Sequence, residues 1–118
     1  IIVATMSPDY ISPSTANLIQ YKIKAEKAAS MDIQAACTGF LYALSIAKAY
    51  VESGCFQNVM VIATEKMSAY VDYKDRSTCV LFGDGAAAAI VAAKGAGLRI
   101  DTLYLGSDGE FADLVKIP

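Results

Sequence analysis

Residues 31–54 read Met31-Asp-Ile-Gln-Ala-Ala-Cys37-Thr-Gly39-Phe-Leu-Tyr-Ala-Leu-Ser-Ile-Ala-Lys-Ala-Tyr-Val-Glu-Ser-Gly54. The short run over 31–35 predicts an extended strand, and residues 36–39 predict a turn. The residues after the turn favour about four turns of helix, ending at Gly54, because glycine readily adopts the left-handed conformation of a helix C-cap. Cys37 is therefore expected where a strand leads into a helix.

A cysteine at a helix start has a specific chemical consequence. The first amides of a helix lack intrahelical acceptors and the helix dipole is positive there, so a thiolate is stabilised and the sulfur becomes a nucleophile. Ala35 and Ala36 leave room before the sulfur, and Gly39 allows a substrate or another backbone to approach closely. A packing role for Cys37 is the alternative, because free cysteines are often buried. The mostly apolar helix that follows predicts a buried central helix in either case.

The composition indicates one domain with a packed core. The chain has 118 residues, of which 55% are hydrophobic, and its formal net charge is −2. The lysines are scattered, so nothing predicts a surface for nucleic acid, and no apolar run is long enough to span a bilayer. Cys37, Cys55 and Cys79 are odd in number and form no Cys-x-x-Cys pair. This pattern predicts free thiols in a reducing compartment and no metal site.

The order of the other elements predicts an α/β fold. Apolar runs over 1–4 and 59–63 are typical of strands in a parallel sheet. A helix is expected between them, with Ser12 as its N-cap and Pro13 at its first position. The polar 65–77 segment is expected to be a surface loop or an irregular helix. This alternation of strand and helix predicts a mixed, mostly parallel sheet.

Two features of the polar segment and its surroundings allow more than one interpretation. Arg76 lies beside Asp72 and Asp75, a pattern typical of a surface ion pair. Gly83, Gly85 and Ala88 match the G-x-G-x-x-G/A fingerprint of dinucleotide-binding loops.

The fingerprint match is weak because Asp-Gly between apolar runs is also a hairpin signal. We predict a tight turn at 83–85 between antiparallel strands over 78–82 and 86–93, with Asp84 holding the backbone. The alternating 98–105 segment predicts one further strand.

Several segments together resemble one enzyme family. The most specific are Asp32-Ile-Gln-Ala-Ala-Cys37-Thr-Gly-Phe40 and Phe82-Gly-Asp-Gly-Ala-Ala-Ala88. They are similar to β-ketoacyl-acyl-carrier-protein synthase III, the condensing enzyme that starts bacterial and plastid fatty-acid synthesis. The Thr-Gly-Phe after the cysteine resembles synthase III more than thiolase or the elongating synthases. The resemblance covers essentially the whole chain, through the further segments 1–5, 12–14, 42–44, 59–64, 75–78 and 107–109.

The resemblance implies a fold and an assembly. Residues 1–118 would form part of the N-terminal half of a thiolase-like fold, in which a mostly parallel sheet surrounds the buried central helix, and the C-terminal half would be absent. Members of the family are homodimers, which makes a second copy an expected partner. A cytoplasmic location in bacteria, or a plastid, is also implied.

The resemblance also implies a reaction. Cys37 would take the acetyl group of acetyl-coenzyme A, a substrate rather than a cofactor, and a decarboxylative Claisen condensation with malonyl-acyl-carrier protein would follow. Arg76 would lie against the adenine end of coenzyme A, and Met67 and Phe82 would line the acyl pocket. The condensation needs a His and an Asn that the family carries beyond the matched region, and this chain has no histidine. Residues 1–118 alone are therefore expected to be inactive.

Three other functions remain open from the sequence. The chain could belong to another acyl-coenzyme A condensing enzyme of the thiolase superfamily. It could be a non-catalytic nucleotide-binding module that uses Gly83 and Gly85. It could also be a structural or thiol-redox domain in which Cys37 acts alone.

Overall fold

The computed structural model describes residues 1–117 and contains a four-stranded mixed sheet. The strands are β1 (Ile2–Ala4), β2 (Met31–Ile33), β3 (Asn58–Lys66) and β4 (Asp84–Ala92), in the order β2-β1-β3-β4. The first three strands in this order are parallel, and β4 runs antiparallel to β3 at the edge. Two α-helices accompany them, α1 (Thr15–Lys22) and α2 (Gly39–Glu52). The predicted α/β fold with a mostly parallel sheet is confirmed.

The apolar strands β1 and β3 are buried because both faces of the sheet are covered. One cluster lies on the α2 side and comprises Ile2, Ala4, Ala43, Ala47, Val59 and Val61. A second cluster lies on the α1 side and comprises Val3, Ala16 and Ile62. The alternation along β1 follows from the period of two in a strand, and continuous apolar runs are typical of strands covered on both faces.

Small residues set the distance between α2 and the sheet. Gly39, Ala43 and Ala47 recur every four residues and are the buried residues of this helix. Such spacing places them on one face, where they allow a close approach to β1 and β3. The opposite face is open within the described part of the chain, and Leu41 is 46% exposed there. The helix ends before Gly54, whose φ of +74° confirms the expected left-handed residue.

Helix α1 begins two residues later than the sequence predicts. Its N-cap is Ser14, whose hydroxyl accepts the Asn17 N–H at 3.2 Å, and the predicted start at Ser12 and Pro13 is wrong. The carboxylate of Asp32 in β2 accepts the N–H groups of Thr15 and Ala16 at 2.7 Å each. The first amides of α1 are thus satisfied by a residue from another element, which no local pattern reveals.

The predicted hairpin at 83–85 is also wrong. Asp84 and Gly85 belong to β4, which pairs with β3 from Lys66↔Asp84 to Asn58↔Ala92. Residues 78–81 form turns instead of a strand, because Cys79 N–H donates to the Asp75 carbonyl and Leu81 N–H to the Thr78 carbonyl. Gly83 leads directly into strand β4 and Gly85 lies within it, so they do not form the strand-to-helix loop that binds dinucleotides.

The 98–105 segment is not a strand in the structure. Leu103 and Leu105 are half-buried and Tyr104 between them is exposed, as the alternation suggested. A strand also requires a paired neighbour for its backbone groups, and none lies beside this segment within residues 1–117. No helix among these residues is long and apolar enough to cross a membrane.

Candidate active site

Cys37 lies between β2 and α2, as the sequence predicts. It is the middle residue of a single 3₁₀ turn, Ala36–Thr38, which leads directly into Gly39 of α2. The side chain is exposed, so the packing role considered for it is not observed within the described residues. An exposed sulfur at this place can be reached by a substrate.

The backbone before Cys37 adopts an unusual conformation. Ala36 has a φ of +44°, in the left-handed region that costs an L-residue about 1–2 kcal/mol. Two hydrogen bonds stabilise the turn, from Thr38 N–H and the Thr38 hydroxyl to the Ala35 carbonyl, at 3.2 and 2.9 Å. Because Cys37 is the second residue of the turn, its own N–H has no intrahelical acceptor. This amide is available to an oxygen bound beside the sulfur.

The end of β1 supports the start of α2. A Cβ on Gly39 would lie 3.1 Å from the Cβ of Ala4, which is tighter than ordinary van der Waals contact. Glycine at this position lets the helix start lie directly against the carboxyl end of β1. The position of Cys37, two residues earlier, is thereby tied to the sheet.

The predicted substrate residues follow the same edge of the sheet. Ala4 in β1 is aligned with Ile33 in β2 and Ala63 in β3, so the carboxyl ends of the parallel strands lie together. Cys37 follows β2 there, and Met67 begins a 3₁₀ turn directly after β3. The carboxyl edge of a parallel sheet is where ligands bind in α/β proteins.

Met67 and Phe82 lie at the base of one loop. Lys66 and Asp84 are the last paired residues of β3 and β4, so Met67 and Phe82 lie just beyond that end of the ladder. Met67 is half-buried and Phe82 is 42% exposed. We call the connection between the two strands the 67–83 segment, and it also contains Arg76.

Ser68 closes the base of this segment. Its hydroxyl and its N–H donate to the two carboxylate oxygens of Asp84, at 2.7 and 2.8 Å. These two bonds lower the pKa of the Asp84 carboxyl, the side-chain bond contributing most. Asp84 does hold the backbone, as the sequence predicts, but it holds Ser68, the second residue after β3, and not a hairpin turn.

Arg76 has no ion-pair partner among residues 1–117, and the predicted surface ion pair is wrong. The neighbouring acids make other contacts. Asp75 accepts the hydroxyls of Ser77 and Thr78 at 2.6 Å, together with Ser77 N–H, and these bonds lower the pKa of its carboxyl. Asp72 accepts Lys74 N–H at 2.9 Å. The exposed guanidinium of Arg76 is therefore available to an external anion.

Sequence reasoning missed a polar network beside the end of β3. Glu65 accepts Met6 N–H at 2.9 Å and the Ser7 hydroxyl at 2.5 Å, and that hydroxyl accepts Lys66 N–H at 2.7 Å. The partners lie 58 or 59 residues apart, so no local motif could reveal them. The one available signal was an acidic residue two positions beyond the apolar run over 59–63. The network ties the loop after β1 to the edge that carries Met67.

An open depression lies elsewhere on this edge. It has a volume of about 640 Å³ and is lined by residues of β2 and the loop after β1, among them Thr5, Tyr10, Asp32 and Gln34. Cys37 and the predicted substrate residues do not line it. Within residues 1–117 no cluster of three or more His, Cys, Asp or Glu side chains could hold a metal ion. The depression therefore does not coincide with the predicted site at Cys37 and the 67–83 segment.

Comparison with known proteins agrees with the sequence resemblance. The β-ketoacyl-[acyl-carrier-protein] synthase III of Chlamydia pneumoniae is 51% identical over the whole of this chain, which spans 36% of that relative. The crystal structure of the synthase III from Thermus thermophilus is 43% identical, with a TM-score of 0.88, over 95% of this chain and 35% of that one. The priming β-ketosynthase of the R1128 polyketide pathway is 45% identical, with a TM-score of 0.75, over 77% of this chain and 27% of that one.

The segment that carries the cysteine lies within the match to a family model. The model of the family described as 3-oxoacyl-[acyl-carrier-protein (ACP)] synthase III matches residues 31–109. The match contains Cys37, both ends of the 67–83 segment and all of β3 and β4. The chain spans about a third of the length of the curated relative described above. Since the family model covers most of the chain, the chain belongs to the 3-oxoacyl-[acyl-carrier-protein] synthase III family.

Proposed function

We propose that these residues form the acyl-accepting part of a β-ketoacyl-acyl-carrier-protein synthase III, with Cys37 as the nucleophile. The observation that carries the proposal is the exposed sulfur in the turn that opens α2. The unpaired amides at that end of the helix can donate hydrogen bonds to an oxyanion formed beside the sulfur. The left-handed conformation of Ala36 sets the direction in which the backbone enters the turn that carries the sulfur.

The first half-reaction is an acyl transfer. The Cys37 thiolate attacks the carbonyl carbon of acetyl-coenzyme A, forming a carbon–sulfur bond and a tetrahedral oxyanion. The Cys37 N–H supplies one donor to this oxyanion. The carbon–sulfur bond to coenzyme A then breaks, coenzyme A leaves as a thiolate that takes up a proton, and the acetyl group stays on Cys37.

The 67–83 segment holds the acyl-coenzyme A in this proposal. Arg76 binds the nucleotide end, because a guanidinium without an internal partner can contact phosphate oxygens and stack on the adenine. Met67 and Phe82 line the acyl side near the base of the segment. The substrate thus lies along the loop, and its thioester meets Cys37 at the carboxyl edge of the sheet.

The second half-reaction needs residues outside this chain. Malonyl-acyl-carrier protein loses carbon dioxide, and the resulting carbanion attacks the acetyl carbonyl on Cys37, forming a carbon–carbon bond and releasing the thiolate. The His and Asn that assist this step would come from the C-terminal half of the complete enzyme. We therefore propose that the chain is part of the N-terminal half of a homodimeric enzyme, working in the bacterial cytoplasm or in a plastid with acyl-carrier protein as its partner.

A second candidate is supported by the likeness to the priming β-ketosynthase of a polyketide pathway. Such an enzyme would use the same nucleophile and the same transfer chemistry. The two candidates differ in the acyl group accepted and in the carrier protein used. A panel of acyl-coenzyme A primers and carrier proteins, given to the full-length protein, separates them.

The proposal is tested by condensation in the full-length protein that contains these residues. Acetyl-coenzyme A and malonyl-acyl-carrier protein should give acetoacetyl-acyl-carrier protein in the wild type, and Cys37→Ser should abolish the product. Cys55→Ser is the matched control, because Cys55 is also an exposed free cysteine but follows the opposite end of α2. Full condensation by Cys37→Ser would overturn the proposal, as would product formation by residues 1–118 alone.

A further inference from the structure

The 67–83 segment leaves and re-enters the sheet at one point. Lys66 and Asp84 are direct partners in the β3–β4 ladder, so the segment is a loop closed at its base by backbone pairing. All three predicted substrate-binding residues, Met67, Arg76 and Phe82, lie within it. The geometry of this one loop therefore determines how those side chains are presented.

The Ser68–Asp84 contact adds a second closure at the base. One carboxylate oxygen of Asp84 accepts the Ser68 N–H, and the other accepts the Ser68 hydroxyl. Charge-assisted bonds of this kind are shorter and stronger than neutral ones, and two from one residue define its orientation. The lowered pKa of Asp84 agrees with a carboxylate that stays ionised in this contact.

The contact acts on the acyl side of the loop and not on its tip. Met67 is the residue directly before Ser68, and Phe82 lies two residues before Asp84. Arg76 lies in the turns of the distal part, where Asp75 has its own hydrogen bonds to Ser77 and Thr78. The Asp84 carboxylate thus holds the base of the loop, and the Asp75 carboxylate holds its distal part.

We infer that Ser68 and Asp84 are positioning residues that set the spacing of Met67 and Phe82, and through it the acyl-chain preference of Cys37 acylation. The inference rests on the proposed function. It assigns to the pair no contact with substrate. It predicts that acyl-chain selection and coenzyme A binding can be changed separately.

The test measures two quantities in the full-length protein. The first is the rate of Cys37 acylation by acyl-coenzyme A of two, four and six carbons, followed by mass spectrometry in single turnovers. The second is the inhibition constant of free coenzyme A. The variants are Ser68→Ala, Asp84→Ala and Ser68→Thr, which keeps the hydroxyl. Ser53→Ala is the matched control, since it removes a serine hydroxyl that donates to the Tyr50 carbonyl at the end of α2.

In Ser68→Ala and Asp84→Ala we expect the rate ratio between the preferred chain length and its neighbours to fall about fivefold, because the base of the loop loses charge-assisted hydrogen bonds. The inhibition constant of coenzyme A should stay within about twofold of wild type, as for a remote surface change. Ser68→Thr and Ser53→Ala should keep the wild-type ratio. Ser68→Ala, the loss of one hydroxyl, carries the test if Asp84→Ala does not fold.

Two results would overturn the inference while leaving the proposed function intact. One is an unchanged chain-length ratio in Ser68→Ala. The other is a parallel loss of chain-length preference and coenzyme A affinity, which would mean that the pair only maintains the loop as a whole. Absence of any acylation in the wild type is distinguishable from both, and it would overturn the proposed function together with this inference.

Discussion

Gly39 at the start of α2 lies so close to Ala4 at the end of β1 that a Cβ on the glycine would be 3.1 Å from the Cβ of the alanine. This contact sets the distance between the helix and the sheet. It also holds the turn that presents Cys37. Packing in the core and the placement of Cys37 are thus linked through one small residue.

Gly39→Val should destabilise the protein and slow acylation of Cys37. Overpacking a close contact of this kind costs about 1–3 kcal/mol, and the helix start must shift to accommodate the side chain. Chemical denaturation measures the free energy of unfolding. Gly106→Val is the control, because nothing lies within 4 Å of the added Cβ there. Equal stability of the two variants would contradict the proposed role of the contact.

Asp32→Ala should destabilise α1 although the substitution lies in β2. The N–H groups of Thr15 and Ala16 lose their acceptor, and loss of a helix N-cap typically costs about 1–2 kcal/mol. Asp32→Asn should cost less, since one amide oxygen can still accept. Thermal and chemical denaturation should show this order, while Asp9→Ala at an exposed position should stay within about 0.5 kcal/mol of wild type. The interpretation fails if Asp32→Ala is as stable as Asp9→Ala.

The Ser68–Asp84 contact should depend on pH in a defined direction. The folded state lowers the pKa of Asp84, so its stabilising contribution is present above the pKa of the unfolded chain and is lost as the pH falls through the lowered value. Ser68→Ala should raise the pKa of Asp84 toward its usual range, because the Ser68 hydroxyl is the largest cause of the shift. Carbon-13 NMR titration of the Asp84 carboxyl measures its pKa in the wild type and in Ser68→Ala. An identical titration with and without the hydroxyl would rule out this cause.

Arg76→Ala should weaken binding of acetyl-coenzyme A far more than that of acetyl-pantetheine, which lacks the nucleotide. Hydrogen bonds to a charged group are worth about 1.5–3 kcal/mol, so roughly a tenfold or greater loss is expected. Arg76→Lys should recover part of it, since lysine keeps the charge without the planar fork.

The control for Arg76 is Arg99→Ala, which removes an exposed arginine that pairs with Asp101. The ratio of KM values for the two thioesters reports the nucleotide contribution directly. Equal effects of Arg76→Ala on both thioesters would show that the guanidinium does not bind the nucleotide end.

The sequence predicted those parts of the fold that depend on local pattern. The apolar runs of β1 and β3, helix α2 and its end at Gly54, and the place of Cys37 between strand and helix all follow from periodicity and capping. The features it missed depend on partners distant in the chain. Asp32 caps a helix from another strand, and β4 pairs with β3 along its whole length, where a local hairpin at Asp84 was expected.

In the candidate site, too, the local pattern around Arg76 did not predict the contacts that form. An arginine that follows two nearby aspartates is typical of an ion pair, but Asp72 and Asp75 bind nearby hydroxyls and amides and leave Arg76 available. Competition among several acceptors and donors in one loop is decided by its three-dimensional path. Spacing along the chain does not contain that information.

The most direct test of the central claim is the location of the acetyl group after the full-length protein reacts with acetyl-coenzyme A alone. Rapid quenching, digestion and peptide mass spectrometry should find one acetyl group per chain, on the peptide that contains Cys37. The peptide with the exposed Cys55 should remain unmodified, and Cys37→Ser should carry no acetyl group. Equal acetylation of Cys37 and Cys55, or acetylation that persists in Cys37→Ser, would contradict the assignment of Cys37 as the nucleophile.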